Sequence, residues 1–144
     1  MSKARKTLID KTDFQDEQYN GWSFAQGNKV LESEGSNFFI TNLLFPAQQN
    51  LQITKQYDQD FAGTYEITFK LFISSDIKNP SLNVWLFGQN EIPNEKVTTG
   101  KWIACKKTLK AEKPDLNKLH ILVNGTYPDG VGRAKFDNIT IYKL

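Results

Sequence analysis

The side chains best suited to gripping a ligand fall in one short run, Leu-Asn-Val-Trp-Leu-Phe-Gly, from Leu82 to Gly88. Side chains in a strand alternate between the two faces. Leu82, Val84 and Leu86 therefore point one way, an ordinary core face. Asn83, Trp85 and Phe87 point the other way, and Gln89 follows if the strand continues. That second face carries two large rings flanked by amides. An aromatic ring packs against the C–H face of a sugar, and an amide both donates to and accepts from hydroxyls. The face is expected to be a binding surface. The competing reading is a strand buried on both sides between two layers, because such strands also read as near-continuous apolar runs. Phe72 interrupts the otherwise polar face Glu66, Thr68, Lys70, Ser74 of the run from Thr64 to Ile73. If that run lies in the same sheet, Phe72 extends the aromatic surface. Glu66 is then its one acid, able to orient a hydroxyl without doing catalysis.

Catalytic constellations are hard to build from these residues. The single histidine, His120, alternates outward in Leu119 to Asn124 and reads as a surface residue rather than a base. There is no Gly-x-Ser-x-Gly elbow, no glycine-rich phosphate loop and no pair of metal-binding histidines. A glycosidase needs two carboxylates about 5 to 10 Å apart. With 16 acids some such pair is inevitable, so the carboxylates point to no hydrolase. Cys105, the only cysteine, reads as a small core residue, and its solitude excludes an intramolecular disulfide. The chain is expected not to be an enzyme.

A length of 144 residues fits one domain over 1–144, with 1–6 as a flexible basic tail. Such a chain buries roughly 70% of its unfolded surface and needs no metal or disulfide to hold a core. The net charge is +2 and the basic residues are spread along the chain, which speaks against nucleic acid as a partner. No apolar run approaches the roughly 20 residues of a membrane span. The basic start, Met1 to Lys6, is not followed by the apolar stretch of a signal peptide. The compartment stays open: cytoplasmic, exported by another route, or a module of a longer exported chain.

The elements that must position these residues are strands. Asn20-Gly21, Gly27-Asn28, Gly35-Ser36, Asn79-Pro80, Asn124-Gly125 and Asp129-Gly130 punctuate runs rich in β-branched and aromatic residues. Strands are expected at Thr7 to Asp10, Asn37 to Leu43, Leu51 to Tyr57, Thr64 to Ile73, Leu82 to Gly88, Trp102 to Leu109, Leu119 to Asn124 and Ala134 to Tyr142. Trp22 to Ala25 and Lys29 to Glu32 read as a strand pair joined at Gly27-Asn28. Lys107 suits an edge strand, where charge discourages aggregation.

Four pieces in this order resemble carbohydrate-binding modules with a galactose-binding-like jelly roll. They are Asp13-Phe14-Gln15 with Gly21-Trp22; Ala62-Gly63-Thr64-Tyr65; Thr98-Thr99-Gly100-Lys101-Trp102, which opens a later edge strand; and Phe136-Asp137-Asn138-Ile139 near the end. The resemblance implies a two-sheet antiparallel jelly-roll β-sandwich of eight or nine strands. It also implies a possible structural calcium near the two chain ends. Asp137 matches the family's terminal acidic ligand, while Gln15 stands where the family usually has Glu, so Asp13 or Asp16 must compensate. The alternative is that these acids are exposed loop residues. In the family the ligand can also bind at loops on one end, for which Trp22, Tyr57 and Tyr127 are the candidates.

The function expected is non-catalytic carbohydrate recognition, with Trp85 as the platform, Phe87 and Phe72 extending it, and Asn83, Gln89 and Glu66 fixing orientation. The alternative is a protein-interaction or attachment module of a larger toxin, phage or enzyme assembly, using the same rings against a protein surface.

Overall fold

Period-two alternation becomes strand where a run can bury one face and wet the other, and eleven strands, two of them only two residues long, are found among the described residues. The computed structural model describes residues 6–24, 28–44, 50–58, 61–86, 95–111, 117–126 and 132–144. The strands are β1 (Thr7–Thr12), β2 (Ser23–Phe24), β3 (Asn28–Glu34), β4 (Asn37–Leu44), β5 (Asn50–Gln56), β6 (Gly63–Ile73), β7 (Lys78–Leu86), β8 (Glu95–Lys96), β9 (Trp102–Ala111), β10 (Lys118–Thr126) and β11 (Gly132–Lys143). One sheet runs β3-β4-β11-β6-β9, with β1 also paired to β11, and has six strands; the other runs β2-β5-β10-β7-β8 and has five. The strand pairings are antiparallel. This is the two-sheet β-sandwich that the sequence implied. Among the described residues no helix is long and apolar enough to cross a membrane.

The core lies between the sheets. The five-stranded sheet contributes Leu51 and Ile53, Leu82, Val84 and Leu86, and Leu119, Ile121 and Val123. The six-stranded sheet answers with Ile67, Phe69, Leu71 and Ile73 from β6 and Phe136, Ile139 and Ile141 from β11. The inward parity expected for β5, β6 and β10 is the parity observed. Phe61 closes one end, edge-on to Tyr65 at 4.7 Å and to Tyr57 at 5.2 Å between ring centroids. β9 is an edge strand, opened by Trp102 and carrying Lys107. Burial pushes the Cys105 thiol up to about 11, as suits a packing residue rather than a nucleophile.

Two expectations are corrected. Trp22 to Glu32 is not a strand pair: β2 pairs with β5 in one sheet and β3 with β4 in the other, so the chain crosses between sheets there. The hairpin turn is instead Gly35-Ser36, between β3 and β4, with Gly35 at a φ of 62°. Asn79-Pro80 and Asn124-Gly125 are not turns either. Both sit inside strands, opposite one another, where the β7–β10 register shifts between Asn124 and Thr126. A bulge is where a strand tolerates proline, because a ladder N–H is not needed. Pro80 still accepts through its carbonyl from Val97 N at 3.2 Å.

Gly125 is required at this bulge by close approach. A Cβ there would lie 2.4 Å from Cγ2 of Ile77 and 3.3 Å from the Lys78 carbonyl oxygen. Gly125→Ala is expected to overpack the site and cost about 1–3 kcal/mol. A thermal melt checks this, and an unchanged midpoint contradicts the close packing of Ile77 on Gly125.

Candidate binding face

With Leu82, Val84 and Leu86 committed inward, β7 turns Asn83 and Trp85 to the outer face of the five-stranded sheet, as the sequence predicts. The sheet order decides what stands beside them. β10 lies between β5 and β7, so His120 is paired with Trp85 on one side and Thr54 on the other; Leu122 likewise lies between Asn83 and Gln52. Ser23 is paired with Thr54, and their hydroxyls lie 3.2 Å apart. This side of the sheet thus places the exposed Ser23 and the half-buried Gln52, Leu122 and Trp85 beside the buried Thr54, Asn83 and His120.

The Trp85 and His120 rings are stacked, with centroids 4.8 Å apart and an interplanar angle of 7°. Cross-strand ring pairs of this kind hold each other's rotamer. The indole therefore stands at a fixed orientation, with part of it exposed. His120 is only 6% exposed although it points away from the core. Burial, helped by the Lys118 charge, pulls its pKa down to about 4, so the imidazole is neutral near neutral pH. Its Nδ1 is hydrogen-bonded to the Gln52 amide nitrogen. With that amide as donor, Nδ1 accepts and the ring proton sits on Nε2. His120 and Gln52 were missed as site residues. The signal was present in the outward parity of His120 and Gln52, but only strand order shows that β10 sits between β5 and β7.

Other candidates are dispersed. Phe72 and Glu66 lie on β6, in the opposite sheet from Trp85, and cannot extend its platform. Glu66 is held by Lys6 at 2.8 Å and Lys106 at 3.4 Å. The Lys6 hydrogen bond, with the charges of both lysines, keeps its carboxyl below the usual range against the opposing effect of burial. Trp22 is a core residue, 1% exposed, with Nε1 donating to Thr12 Oγ1 at 3.3 Å. Tyr57 donates its hydroxyl to Asp10 Oδ2 at 2.9 Å, and Lys55 meets the same oxygen at 2.7 Å. This cluster ties β1 to the end of β5 across the two sheets. Burial first, then Asp10, raises the Tyr57 pKa well above the ordinary phenol value. Phe87, Gln89 and Tyr127 lie outside the described residues.

The outer face of the six-stranded sheet carries a second aromatic group. Trp102 is edge-on to Phe39 at 5.2 Å and tilted against Phe72 at 5.9 Å. The Lys135 ammonium lies over Phe39 and Phe72, 5.2 and 5.0 Å from their centroids. Phe39 is 1% exposed yet stands outside the central core, covered by this group. Beside Trp102 a cleft of about 470 Å³ is lined by Glu34, Asn37, Lys70, Ala104, Asp137 and Asn138.

Of the acids considered for calcium, Asp13 and Asp137 lie close enough for the Asp13 charge to act on the Asp137 carboxyl, while Asp16 is engaged within its own turn. Asp16 Oδ1 accepts from Gln18 N and Asn20 Nδ2 within its own turn. Asp13 Oδ1 accepts from Gln15 N at 3.2 Å. Asp137 accepts from Asn37 Nδ2 at 3.1 Å and from Asn138 N at 2.8 Å. Burial raises the Asp137 carboxyl, opposed by these two hydrogen bonds and by Lys70, with the nearby Asp13 charge adding to the rise. Among the described residues no three His, Cys, Asp or Glu side chains are grouped to hold one metal ion.

No family model and no curated protein sequence matches the chain. Solved structures do match it. The CBM22-1–GH10 modules of the Clostridium thermocellum endo-1,4-β-D-xylanase Xyn10B, complexed with xylohexaose, superpose with a TM-score of 0.70 at 15% identity. That match covers 97% of this chain and 29% of the xylanase chain. The CBM22-1 xylan-binding domain of Paenibacillus barcinonensis Xyn10C gives a TM-score of 0.65 at 13% identity, covering 98% and 99% of the two chains. The mannan-recognising module TmCBM27 gives 0.62 at 17% identity, covering 98% and 99%. The protein has the β-sandwich fold of these carbohydrate-binding modules.

His120 predicts a pH dependence. Its folded pKa, about 4, lies below its ordinary value of 6.5. Between those values the unfolded chain binds more protons, so this group lowers stability as pH falls from about 6.5 toward 4. Melting wild type and His120→Gln across that window is expected to show a shallower decline for the variant. Parallel curves contradict the buried, neutral imidazole.

Proposed function

We propose that the protein is a non-catalytic carbohydrate-binding module whose ligand lies on the outer face of the five-stranded sheet. One observation carries this reading: the partly exposed Trp85 indole, fixed by its stack on His120, shares the outer face with the exposed Ser23 and the half-buried Gln52, while Thr54 and Asn83 on the same face are buried. A sugar presents C–H faces that pack on a ring and hydroxyls that need both donors and acceptors. Amides and hydroxyls supply both, without a charge whose desolvation opposes binding of a neutral ligand. Recognition of xylan and mannan by the structural neighbours supports a polysaccharide of that general kind.

A second reading places the ligand against Trp102 on the opposite sheet, favoured by the cleft of about 470 Å³ beside it. That size falls within the roughly 300–1,000 Å³ of small-molecule sites. Its lining is more charged and its ring is already engaged by Phe39 and Phe72.

Affinity electrophoresis and calorimetry with soluble xylan, glucomannan and galactan separate the two. Trp85→Ala is expected to weaken binding at least about tenfold, the effect of losing one hot-spot aromatic, while Trp102→Ala leaves it unchanged. The opposite pattern moves the ligand to the six-stranded sheet. Equal retention by both variants removes both readings.

A further inference from the structure

The loop after β1 contains a side chain placed as an ion would be. Gln15 Nε2 lies 2.9 Å from the Asp13 carbonyl oxygen, 2.9 Å from Asn37 Oδ1 and 3.0 Å from the Phe38 carbonyl oxygen. Three oxygens from two separate segments thus converge on one nitrogen. A primary amide has only two N–H donors for them. The distances are hydrogen-bond lengths, beyond the 2.3–2.6 Å of calcium–oxygen contacts. At its other end Gln15 Oε1 accepts from Phe38 N at 3.3 Å, so both ends of the amide are engaged.

The surroundings hold this arrangement. Phe14, one residue before, adopts a left-handed φ of 61° with its ring fully buried. A bulky side chain rarely accepts that backbone. The buried ring secures the loop while the twist directs the Asp13 carbonyl and the Gln15 side chain toward β4. On the far side Asn37 is anchored through its own Nδ2, which donates to Asp137 Oδ2, leaving Asn37 Oδ1 to face Gln15. Asp137 begins the β11 bulge, where Asn138 has a φ of 49° and the register on β6 shifts. The chain Gln15–Asn37–Asp137 therefore links the β1–β2 loop, the start of β4 and the bulge of β11.

We propose that the Gln15 side-chain amide occupies the centre of this oxygen cradle in place of a divalent cation, so that the fold is locked there without metal. Calcium requires six to eight oxygens, usually including carboxylates. Here the centre is filled by a donor covalently attached to the cradle, and the one nearby carboxylate of β11 is bonded to Asn37 and Asn138 instead. A tethered amide needs no free ligand and leaves the lock insensitive to calcium concentration. Asp16 is engaged within its own turn, and Asp13 accepts from Gln15 N while its charge acts on Asp137.

The test uses the full chain and compares thermal melts in EDTA and in millimolar calcium chloride, with calorimetric calcium titration. Wild type is expected to melt at the same temperature in both and to show no calcium-binding heat. Gln15→Ala is expected to melt about 5 °C lower in both, a shift on the scale of one lost interaction network in a chain this size. Gln15→Glu places a carboxylate oxygen against three oxygens, so it is expected to melt lower than wild type in EDTA and to recover when calcium is added. A wild-type midpoint that rises with calcium, or measurable calcium binding, overturns the proposal. So does a Gln15→Ala protein as stable as wild type, or a Gln15→Glu protein as stable as wild type in EDTA. Failure here leaves the carbohydrate reading untouched, because none of these residues lies on the Trp85 face.

Discussion

Six side chains on two neighbouring strands set everything that follows. Leu82, Val84 and Leu86 on β7 and Leu119, Ile121 and Val123 on β10 are buried together against the other sheet. A slip of one residue in either strand would turn that strand's three apolar groups to solvent and its polar groups into the core. At roughly 1.5–3 kcal/mol for each large apolar side chain buried, such a slip is far outside the margin of a small domain. The register is therefore fixed, and with it the outward position of Asn83, Trp85, His120 and Leu122. The placement of this outer face is a by-product of core packing.

That separation explains which features were legible in the sequence. Alternation showed the inward and outward residues of β5, β6, β7 and β10 correctly, because period two is a property of each strand alone. It could not show sheet membership. Phe72 and Trp85 both point outward from the core, yet in opposite directions, since β6 and β7 belong to different sheets. Trp22 followed a turn signal, opened an expected strand and was a candidate for the end-loop site, but its ring is buried in the core and its indole N–H is paired with Thr12. Neither fact has a local cause. Each follows from which strand, distant in sequence, happens to be the neighbour.

Turn chemistry failed for a related reason. Asn79-Pro80 and Asn124-Gly125 carry the residues of turns, and both do mark irregular backbone. The irregularity is a bulge shared by two paired strands rather than two reversals of direction. Gly125 is there because Ile77 occupies the space of a side chain, and Asn79 because asparagine tolerates its φ of 51°. Composition reports that the backbone departs from a regular strand; the register decides what the departure is.

The two outer faces differ in the currency of their interactions. On the six-stranded sheet, Lys135 lies over two rings, Glu66 takes two lysines, and Asp137 is held by asparagines. Those groups largely satisfy one another, so that face is stabilised from within. On the five-stranded sheet Gln52, Thr54, Asn83 and the imidazole of His120 are neutral, Lys118 and Lys96 bring positive charge to the same face, and the stacked rings present one partly exposed indole. A partly exposed ring with few ion pairs around it sheds water to a neutral ligand at less cost than a face whose matched ion pairs would have to be desolvated. The physical asymmetry between the faces thus favours the Trp85 side as the one that meets a partner. It leaves the Trp102 side, with the Gln15 cradle at its margin, as the side that holds the sandwich together.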